Sequence, residues 1–331
     1  MRNVNLGRNG PQVSAAGLGC MGMSGMYGPA DEAESVATIH AALEAGITLL
    51  DTGDFYGMGH NESLIRRALA GRKRERIFIS VKFGALRSPD GGWGGVDARP
   101  QALKNFLAYT LQRLGTDYVD IYRPARLDPA VPIEETVGAI ADMVKAGHVR
   151  HIGLSEVGVA TLRRAHKVHP IADLQIEYSL MSRGVEKEIL PALRELGISV
   201  TAYGILSRGL LSGHVPAPGT RGDIRSLRMP RFQRENLQRN LGLVEALQRI
   251  AAEKHATPVQ LAIAWVISRG EDIVPLIGAR RRSQLSEALG ALALPLDAAD
   301  LARIEAAVPA EQVAGTRYDA AQMAHLDSER H

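Results

Sequence analysis

Eight short apolar segments recur along the 331 residues, and an amphipathic segment of helical length follows each of them. This alternation indicates βαβ units and a parallel sheet. Eight repeats suffice to close a (β/α)8 barrel, whereas a doubly wound sheet has about five or six strands. Strands are predicted at residues 15–20, 48–51, 77–82, 118–122, 149–154, 174–177, 199–203 and 273–277.

The helical segments carry apolar residues at spacings of three and four, which places those residues on one face of a helix. Helices are predicted at residues 31–45, 61–70, 100–114, 134–146, 158–167, 186–196, 236–269 and 281–290. Glycine or proline marks most junctions, and no shift in composition indicates a second domain. We therefore expect an α/β protein with one TIM-barrel domain over residues 1–331. Its additions are a hairpin at 1–14, an insertion after the seventh strand at 212–236, and a tail at 308–331 over the carboxyl ends of the strands.

The composition of the chain argues against several classes of protein. Hydrophobic residues make up 45% and charged residues 23% of the chain, and no apolar run approaches the roughly 20 residues that span a bilayer. The first residues lack the pattern of a secretory signal, so we expect a cytoplasmic protein without a membrane partner. A net charge of +3 does not indicate nucleic acid as a partner. Cys20 is the single cysteine, which excludes an internal disulfide, and no metal site is predicted. No heptad seam indicates an oligomeric state.

Residues 17–22, GLGCMG, match the G-x-G-x-x-G spacing of a dinucleotide-binding turn. That turn requires a helix that starts within the motif and an acidic residue about 20 positions later. Here a loop follows, and the first helix is predicted only at Asp31, which with Glu34 forms a predicted capping box. The stretch is therefore interpreted as a barrel strand end followed by a long loop.

Three polar residues lie where predicted strands end. Asp51 ends the second strand, Tyr56 follows five residues later, and Lys82 ends the third strand. A barrel brings these ends together on one face. A phenol with a pKa near 10 exchanges protons poorly unless an ammonium stabilises its phenolate, and a buried ammonium requires a carboxylate. The alternative is a structural Lys82–Asp51 ion pair beside an ordinary loop tyrosine, and the spacing alone does not separate the two.

Seven motifs together resemble the aldo-keto reductase superfamily, in its bacterial, fungal and plant branch with a long first loop. In chain order they are GLGCMGMSGMYG, LLDTGDFYGMGHNE, SVKFG, GHVRHIGLSEV, LQIEYSL, AYGILSRGLLSG and IGARRRSQLSEAL. The resemblance covers nearly the whole chain. It implies hydride transfer between NADPH and a small-molecule aldehyde or ketone. It further implies that Tyr56 donates the proton, that Lys82 lowers the pKa of Tyr56, and that Asp51 holds Lys82.

The same resemblance implies a set of residues for the nicotinamide end of the cofactor. Ser155 and Gln175 would hold the carboxamide, and Tyr203 would stack on the ring. The residues implied at this end are Gly19, Cys20, Met21, Asp51, Ser155, Gln175 and Tyr203.

A second implied set lies along the phosphates and the adenine. Arg280 would pair with the 2′-phosphate, since a guanidinium suits a phosphate dianion. Without the resemblance, the ARRR run at 279–282 is equally an exposed helix start. The residues implied at the pyrophosphate are Gly204, Leu206, Ser207 and Arg208, and those at the adenosine phosphate and adenine are Gly278, Ala279, Arg280, Gln284 and Glu287.

One departure from the family pattern concerns the fourth strand. The family carries a histidine in Y-x-x-H-R-x-D, whereas this chain reads YRPARLD and has Ala125 at that position. We expect altered substrate geometry rather than lost activity, because Tyr56 and Lys82 are intact. Two alternatives remain open: an NADPH-binding regulatory subunit with little turnover, and a lyase that uses Lys82 as a Schiff base. In the insertion, Arg225, Arg228 and Arg231 are either solvated or hold an acidic or phosphorylated substrate.

Overall fold

The computed structural model describes residues 1–215 and 223–330. Within them the chain forms these strands: β1 (Asn3–Asn5), β2 (Gln12–Ser14), β3 (Gly17–Gly19), β4 (Leu49–Gly53), β5 (Phe78–Phe83), β6 (Ala85–Arg87), β7 (Trp93–Val96), β8 (Val119–Pro124), β9 (Val149–Ser155), β10 (Ile171–Glu177), β11 (Ser199–Tyr203) and β12 (Ile273–Gly278). Among these, β3, β4, β5, β8, β9, β10, β11 and β12 pair in this parallel order, and β12 returns to β3 to close the barrel. The predicted barrel fold is confirmed.

Helices surround the barrel, as the amphipathic segments predict. In the described residues they are α1 (Glu32–Glu44), α2 (His60–Leu69), α3 (Pro100–Leu114), α4 (Ile133–Lys145), α5 (Val159–Val168), α6 (Ile189–Leu196), α7 (Ile224–Arg228), α8 (Arg234–Glu253), α9 (Pro258–Ser268), α10 (Arg282–Leu289), α11 (Ala298–Ala307) and α12 (Ala320–Ala324). Apolar residues on their inner faces pack against the outside of the barrel in one large core. None of these helices is both long and apolar enough to cross a bilayer.

The single helix predicted at 236–269 is wrong, because the structure divides it into α8 and α9. Thr257 caps the second helix: its hydroxyl accepts from the Gln260 amide, and the Gln260 side chain accepts from the Thr257 amide. Pro258 occupies the first helical turn, and His255 adopts a left-handed φ of 52° just before it. The apolar periodicity runs through this break, so the capping signal is the more informative feature.

Further elements were not predicted, among them two helices and a strand pair. The helix α11 begins at its own capping box between Asp297 and Asp300, and the antiparallel pair β6–β7 extends the loop after β5. The insertion contains α7, although residues 216–222 of the predicted 212–236 segment lie outside the described part of the chain. His331, the last residue of the predicted tail, also lies outside it.

The two ends of the barrel differ in character. At the amino ends of the strands, the hairpin β1–β2 places Leu6 and Val13 against Leu49 and Leu276 in a small apolar cluster. Further along the strands the barrel interior becomes polar, with Arg123 paired to Asp173 at 2.8 Å and both fully buried. The polar interior leads to the carboxyl ends of the strands, where the candidate site lies.

Candidate active site

Asp51 and Lys82 form a buried ion pair at the carboxyl ends of β4 and β5, with Nζ 2.5 Å from Oδ1. The parallel register sets Asp51 opposite Ser80, whose hydroxyl donates to Oδ2 at 3.1 Å. Gln175 donates its amide to the same oxygen at 2.7 Å. Burial lowers the pKa of Lys82, Asp51 opposes that effect, and the charge of Arg123 adds to it.

Tyr56 lies above this pair in the tight turn that follows β4, where its amide donates to the Gly53 carbonyl at 3.0 Å. The Lys82 Nζ is 5.2 Å from the centroid of the Tyr56 ring, and Tyr56 is 5% exposed. Its hydroxyl makes no hydrogen bond to any residue that the structure describes. Burial, with Asp51 adding to it, raises the pKa of Tyr56 well above its usual value, so the phenol is protonated at neutral pH. The three residues predicted from strand ends therefore lie together.

Ser155, at the end of β9, has a fully buried hydroxyl without a hydrogen-bond partner in the described chain. Buried hydroxyls are nearly always paired, so this orphaned group indicates a position that a polar ligand completes. Gln175 lies on the neighbouring strand opposite Ser155, and its amide nitrogen donates a hydrogen bond to Asp51. A carboxamide is a group that Ser155 could bind.

Gly19, Cys20 and Met21 lie where β3 ends. The Cys20 amide donates to the Asp51 carbonyl at 3.0 Å, and the Cys20 carbonyl accepts from the Asn61 side chain at 2.9 Å. Burial raises the pKa of the Cys20 thiol far above its usual value, so the side chain packs as a small apolar group. These residues therefore offer backbone rather than a reactive thiol to a ligand.

The loop after β11 has an unusual backbone. Ser207 and Arg208 both have left-handed φ angles of 47° and 57°, and Gly204 has 64°. A Cβ at Gly204 would lie 3.0 Å from the Glu177 side chain, which explains glycine where a larger residue might stand. Consecutive non-glycine residues in this conformation cost energy and mark functional loops. Leu206 precedes this pair and bonds through its carbonyl to the amides of Gly209 and Leu211.

A charged cluster holds that loop. Glu177 is fully buried at the end of β10 and pairs with Arg208 at 2.8 Å, with Arg231 at 3.4 Å and with Arg317 at 3.7 Å. Glu156 also pairs with Arg317, at 2.6 Å. Although burial alone would raise it, Arg317 lowers the pKa of Glu156 to about 2. The cluster ties the carboxyl ends of the strands to the C-terminal segment.

Tyr203, at the end of β11, donates its hydroxyl to Glu156 at 2.7 Å and bonds to the Tyr318 hydroxyl at 2.8 Å. The tail thereby reaches the residue implied to stack on a nicotinamide ring. Glu156 and Glu177 were missed in the sequence, although Glu177 ends a predicted strand and Glu156 lies two residues after another, and that position was the signal. No apolar periodicity in the sequence indicates that Arg317 and Tyr318 lie at the site.

Gly278, Ala279 and Arg280 lie where β12 ends and α10 approaches. A Cβ built on Gly278 would meet nothing within 4 Å, so the strand end is open. Arg280 donates through Nη1 to the carbonyls of Tyr27, Gly28 and Pro29 in the first loop at 3.0–3.2 Å. The Gln284 side chain accepts from the Arg280 amide, and Glu287 is partly buried one turn later.

Several predicted contacts differ from expectation. Glu34 does not complete the capping box with Asp31, because its carboxylate pairs with Arg282 at 2.9 Å. Arg231 is neither solvated nor free, since it is buried against Glu177. Arg225 pairs with Asp223 at 2.6 Å, and Arg228 is exposed.

Comparison with known proteins gives concordant matches. The family model described as "Aldo/keto reductase family" matches residues 15–309. A probable aldo-keto reductase of Glycine max is 43% identical over 318 residues, which cover 95% of this chain and 91% of that protein. The structure of a glycerol dehydrogenase from Gluconobacter oxydans superposes with a TM-score of 0.83 at 28% identity, covering 93% of this chain and 96% of that one. The holo form of an aldo-keto reductase from Bacillus halodurans gives a TM-score of 0.78 at 28% identity, covering 94% and 97%.

Proposed function

Because the chain belongs to the aldo-keto reductase family, we propose that it is an NADPH-dependent oxidoreductase that reduces an aldehyde or ketone to an alcohol, or catalyses the reverse, with Tyr56 as general acid and base. The observation that carries the proposal is the buried cluster of Tyr56, Lys82 and Asp51 at the same barrel end as the unpaired Ser155 hydroxyl. The family establishes an oxidoreductase acting on carbonyl groups. The choice of NADPH and the role of Tyr56 are our inference.

The residues present fit a nicotinamide cofactor. The unpaired Ser155 hydroxyl suits the carboxamide, with Gln175 beside it, and Tyr203 offers an aromatic ring at the adjacent strand end. The strained loop with Ser207 and Arg208 would hold the pyrophosphate, and Arg280 the 2′-phosphate. When bound, the cofactor supplies a hydride to the carbonyl carbon.

The chain itself handles the proton. Tyr56 is protonated at neutral pH because burial raises its pKa, and it donates its proton to the carbonyl oxygen as negative charge develops there. The Lys82 ammonium at 5.2 Å from the ring then stabilises the phenolate. Asp51 keeps Lys82 charged, and Ser80 and Gln175 fix the position of Asp51. A preorganised set of charges of this kind lowers the barrier without rearrangement.

The experiment follows NADPH absorbance with a panel of aldehydes, ketones and quinones. We expect Tyr56→Phe to lower turnover by about two to four decades, the usual size of a general-acid contribution. The dissociation constant for NADPH should change little, because the hydroxyl is not among the groups that hold the cofactor. Tyr109→Phe is the matched control, since Tyr109 is 54% exposed on α3 and should change neither quantity.

Other results would reject the proposal. Full turnover by Tyr56→Phe would place the acid elsewhere. Tight NADPH binding without reduction of any carbonyl compound would favour a regulatory subunit. Borohydride trapping of a substrate on Lys82 without any need for NADPH would favour a lyase, although the Asp51 ion pair disfavours the neutral amine that a Schiff base requires.

A further inference from the structure

Arg126 differs from the three arginines that hold the loop after β11 and the tail. Arg208, Arg231 and Arg317 each form an ion pair with Glu156 or Glu177. Arg126 forms no ion pair with any carboxylate that the structure describes. Instead its Nη1 donates to the Ala125 carbonyl at 2.7 Å, and its Nη2 donates to the Tyr318 hydroxyl at 3.3 Å. It is partly buried, and the charge of Glu156 acts on it through space without a direct contact.

The position of Arg126 places it at the reacting end of the site. It follows Ala125 directly after β8, and Ala125 is 2% exposed and bonded to the Phe83 carbonyl beside Lys82. Its partner Tyr318 is bonded in turn to Tyr203. Burial raises the pKa of the Tyr56 hydroxyl, and Arg126 is a nearby positive charge that opposes this rise. Arg126 is therefore within electrostatic reach of the proton donor.

The guanidinium of Arg126 has hydrogen-bonding capacity left for an anion. Arg has five N–H donors in a planar fork, and Arg126 uses two of its nitrogens on neutral oxygens. Glu156 acts on Arg126 only through space, whereas a planar carboxylate in contact with Arg126 can accept two parallel hydrogen bonds from the fork. A phosphate dianion would favour several converging cations, and the neighbouring arginines are already paired with Glu156 and Glu177.

From this geometry we propose that Arg126 binds a carboxylate on the substrate, so that the substrate class is a carbonyl compound that also carries a carboxylic acid. The inference rests on the proposed reductase function and deepens it. Ala125 stands where the family pattern has a histidine. In its place, the contact between Arg126 and the carboxylate of the substrate orients the carbonyl towards Tyr56. Arg126 acts as a specificity-determining residue that need not touch the reacting carbon.

The test compares each acid with its own ester. Succinic semialdehyde and para-carboxybenzaldehyde are assayed beside their methyl esters with NADPH. We expect the native protein to show a kcat/KM at least about tenfold higher for the acids, the size of one charge-assisted hydrogen-bond pair. Arg126→Gln should lower the values for the acids by about ten- to a hundredfold and leave those for the esters within about twofold. Arg126→Lys should retain part of the preference, because it keeps the charge but loses the fork.

Two controls separate this inference from the proposed function. Arg249→Gln removes the same charge from an exposed position on α8 and should leave both substrates unchanged. Calorimetry of benzoate against benzamide with the protein alone gives a readout without turnover, and Arg126→Gln should weaken benzoate binding alone. Circular dichroism checks that each variant is folded.

The outcomes are distinguishable. Equal kcat/KM for acid and ester in the native protein, or an equal loss for both in Arg126→Gln, would overturn the carboxylate assignment while the reductase function stands. Benzoate binding that depends on Arg126 without turnover of any carbonyl compound would support the anion site and reject the reductase. Equal binding of benzoate and benzamide would overturn the anion site whatever the turnover.

Discussion

The hydroxyl of Tyr318 lies 2.8 Å from the hydroxyl of Tyr203, so a residue near the C-terminus contacts the end of the seventh barrel strand. Arg317 makes the adjoining contact, with two hydrogen bonds of 2.6 and 2.8 Å to Glu156. The guanidinium of Arg208 lies 4.4 Å from the centre of the Tyr318 ring. Hydrogen bonds and paired charges therefore join the tail to the candidate site.

The first prediction concerns this attachment. Arg317→Gln leaves the fully buried Glu156 carboxylate without its main cation, which should lower the free energy of unfolding by about 3 to 5 kcal/mol. Hydrogen exchange should rise in residues 316–330. Because the folded pKa of Glu156 is about 2, its contribution is complete above the unfolded value near 4.5 and is lost as the pH falls towards 2. Urea unfolding at several pH values measures this contribution to the free energy of unfolding.

Arg330→Gln is the matched control for that experiment. Arg330 is exposed, and among the described residues its side chain donates only to the Ala324 carbonyl, so its loss should alter stability by less than about 0.5 kcal/mol. Unchanged exchange in the tail of Arg317→Gln would show that other contacts hold this segment.

The second prediction is a pH dependence that originates at Asp54. Burial raises the pKa of Asp54 to about 7, and the charge of Glu62 adds to the rise. The folded protein therefore holds a proton that the unfolded chain releases, and this contribution to stability is lost as the pH rises from about 4 to 7. Asp54→Asn should flatten that slope and gain about 1 to 3 kcal/mol relative to the native protein between those limits.

Chemical unfolding across this pH range measures the slope. Asp117→Asn changes an exposed aspartate and should keep the native pH profile. A native profile that is already flat, or an unchanged slope in Asp54→Asn, would mean that Asp54 is ionised throughout.

The third prediction tests the preference for NADPH. Arg280→Ala should raise the dissociation constant for NADPH by about one to two decades, because a guanidinium paired with a phosphate contributes about 1.5 to 3 kcal/mol. The constant for NADH should change much less. Arg282→Ala is the control, since Arg282 is engaged with Glu34 at 2.9 Å. Fluorescence titration with both cofactors measures this, and equal losses for NADPH and NADH would assign Arg280 to bracing the first loop.

The fourth prediction concerns the ion pair inside the barrel. Arg123 and Asp173 are fully buried 2.8 Å apart, and Arg123 also donates to Ser80 at 2.8 Å. Arg123→Met should lower the free energy of unfolding by about 3 to 5 kcal/mol, because it leaves the buried Asp173 carboxylate without its cation. Combining it with Asp173→Leu should recover most of that loss, since two apolar groups need no partner. A double-mutant cycle by urea unfolding measures the coupling between the two residues. If the losses in unfolding free energy of the two single variants simply add in the double variant, the residues are not coupled.

The sequence alone determined the barrel and the core of the site. Asp51, Tyr56 and Lys82 could be placed together because each lies at or just after a strand end, and a parallel barrel brings all such ends to one face whatever the side chains are. The motifs that resemble the family lie at these same strand ends, so they could be recognised without knowledge of the tertiary structure. The break between α8 and α9 was also encoded, in Thr257 and Pro258, but apolar periodicity obscured it.

Only the tertiary structure decided how the charges are distributed. Arg231, Arg280 and Arg317 look alike in the sequence, yet one binds Glu177, one binds loop carbonyls and one binds Glu156. The 161 positions between Arg317 and Glu156 leave no periodicity or spacing that could connect them. A long side chain can reach many partners, and which carboxylate it meets depends on how distant segments pack. Within the described residues, the same packing left Arg126 without a direct ion pair, and that residue therefore carries the substrate proposal.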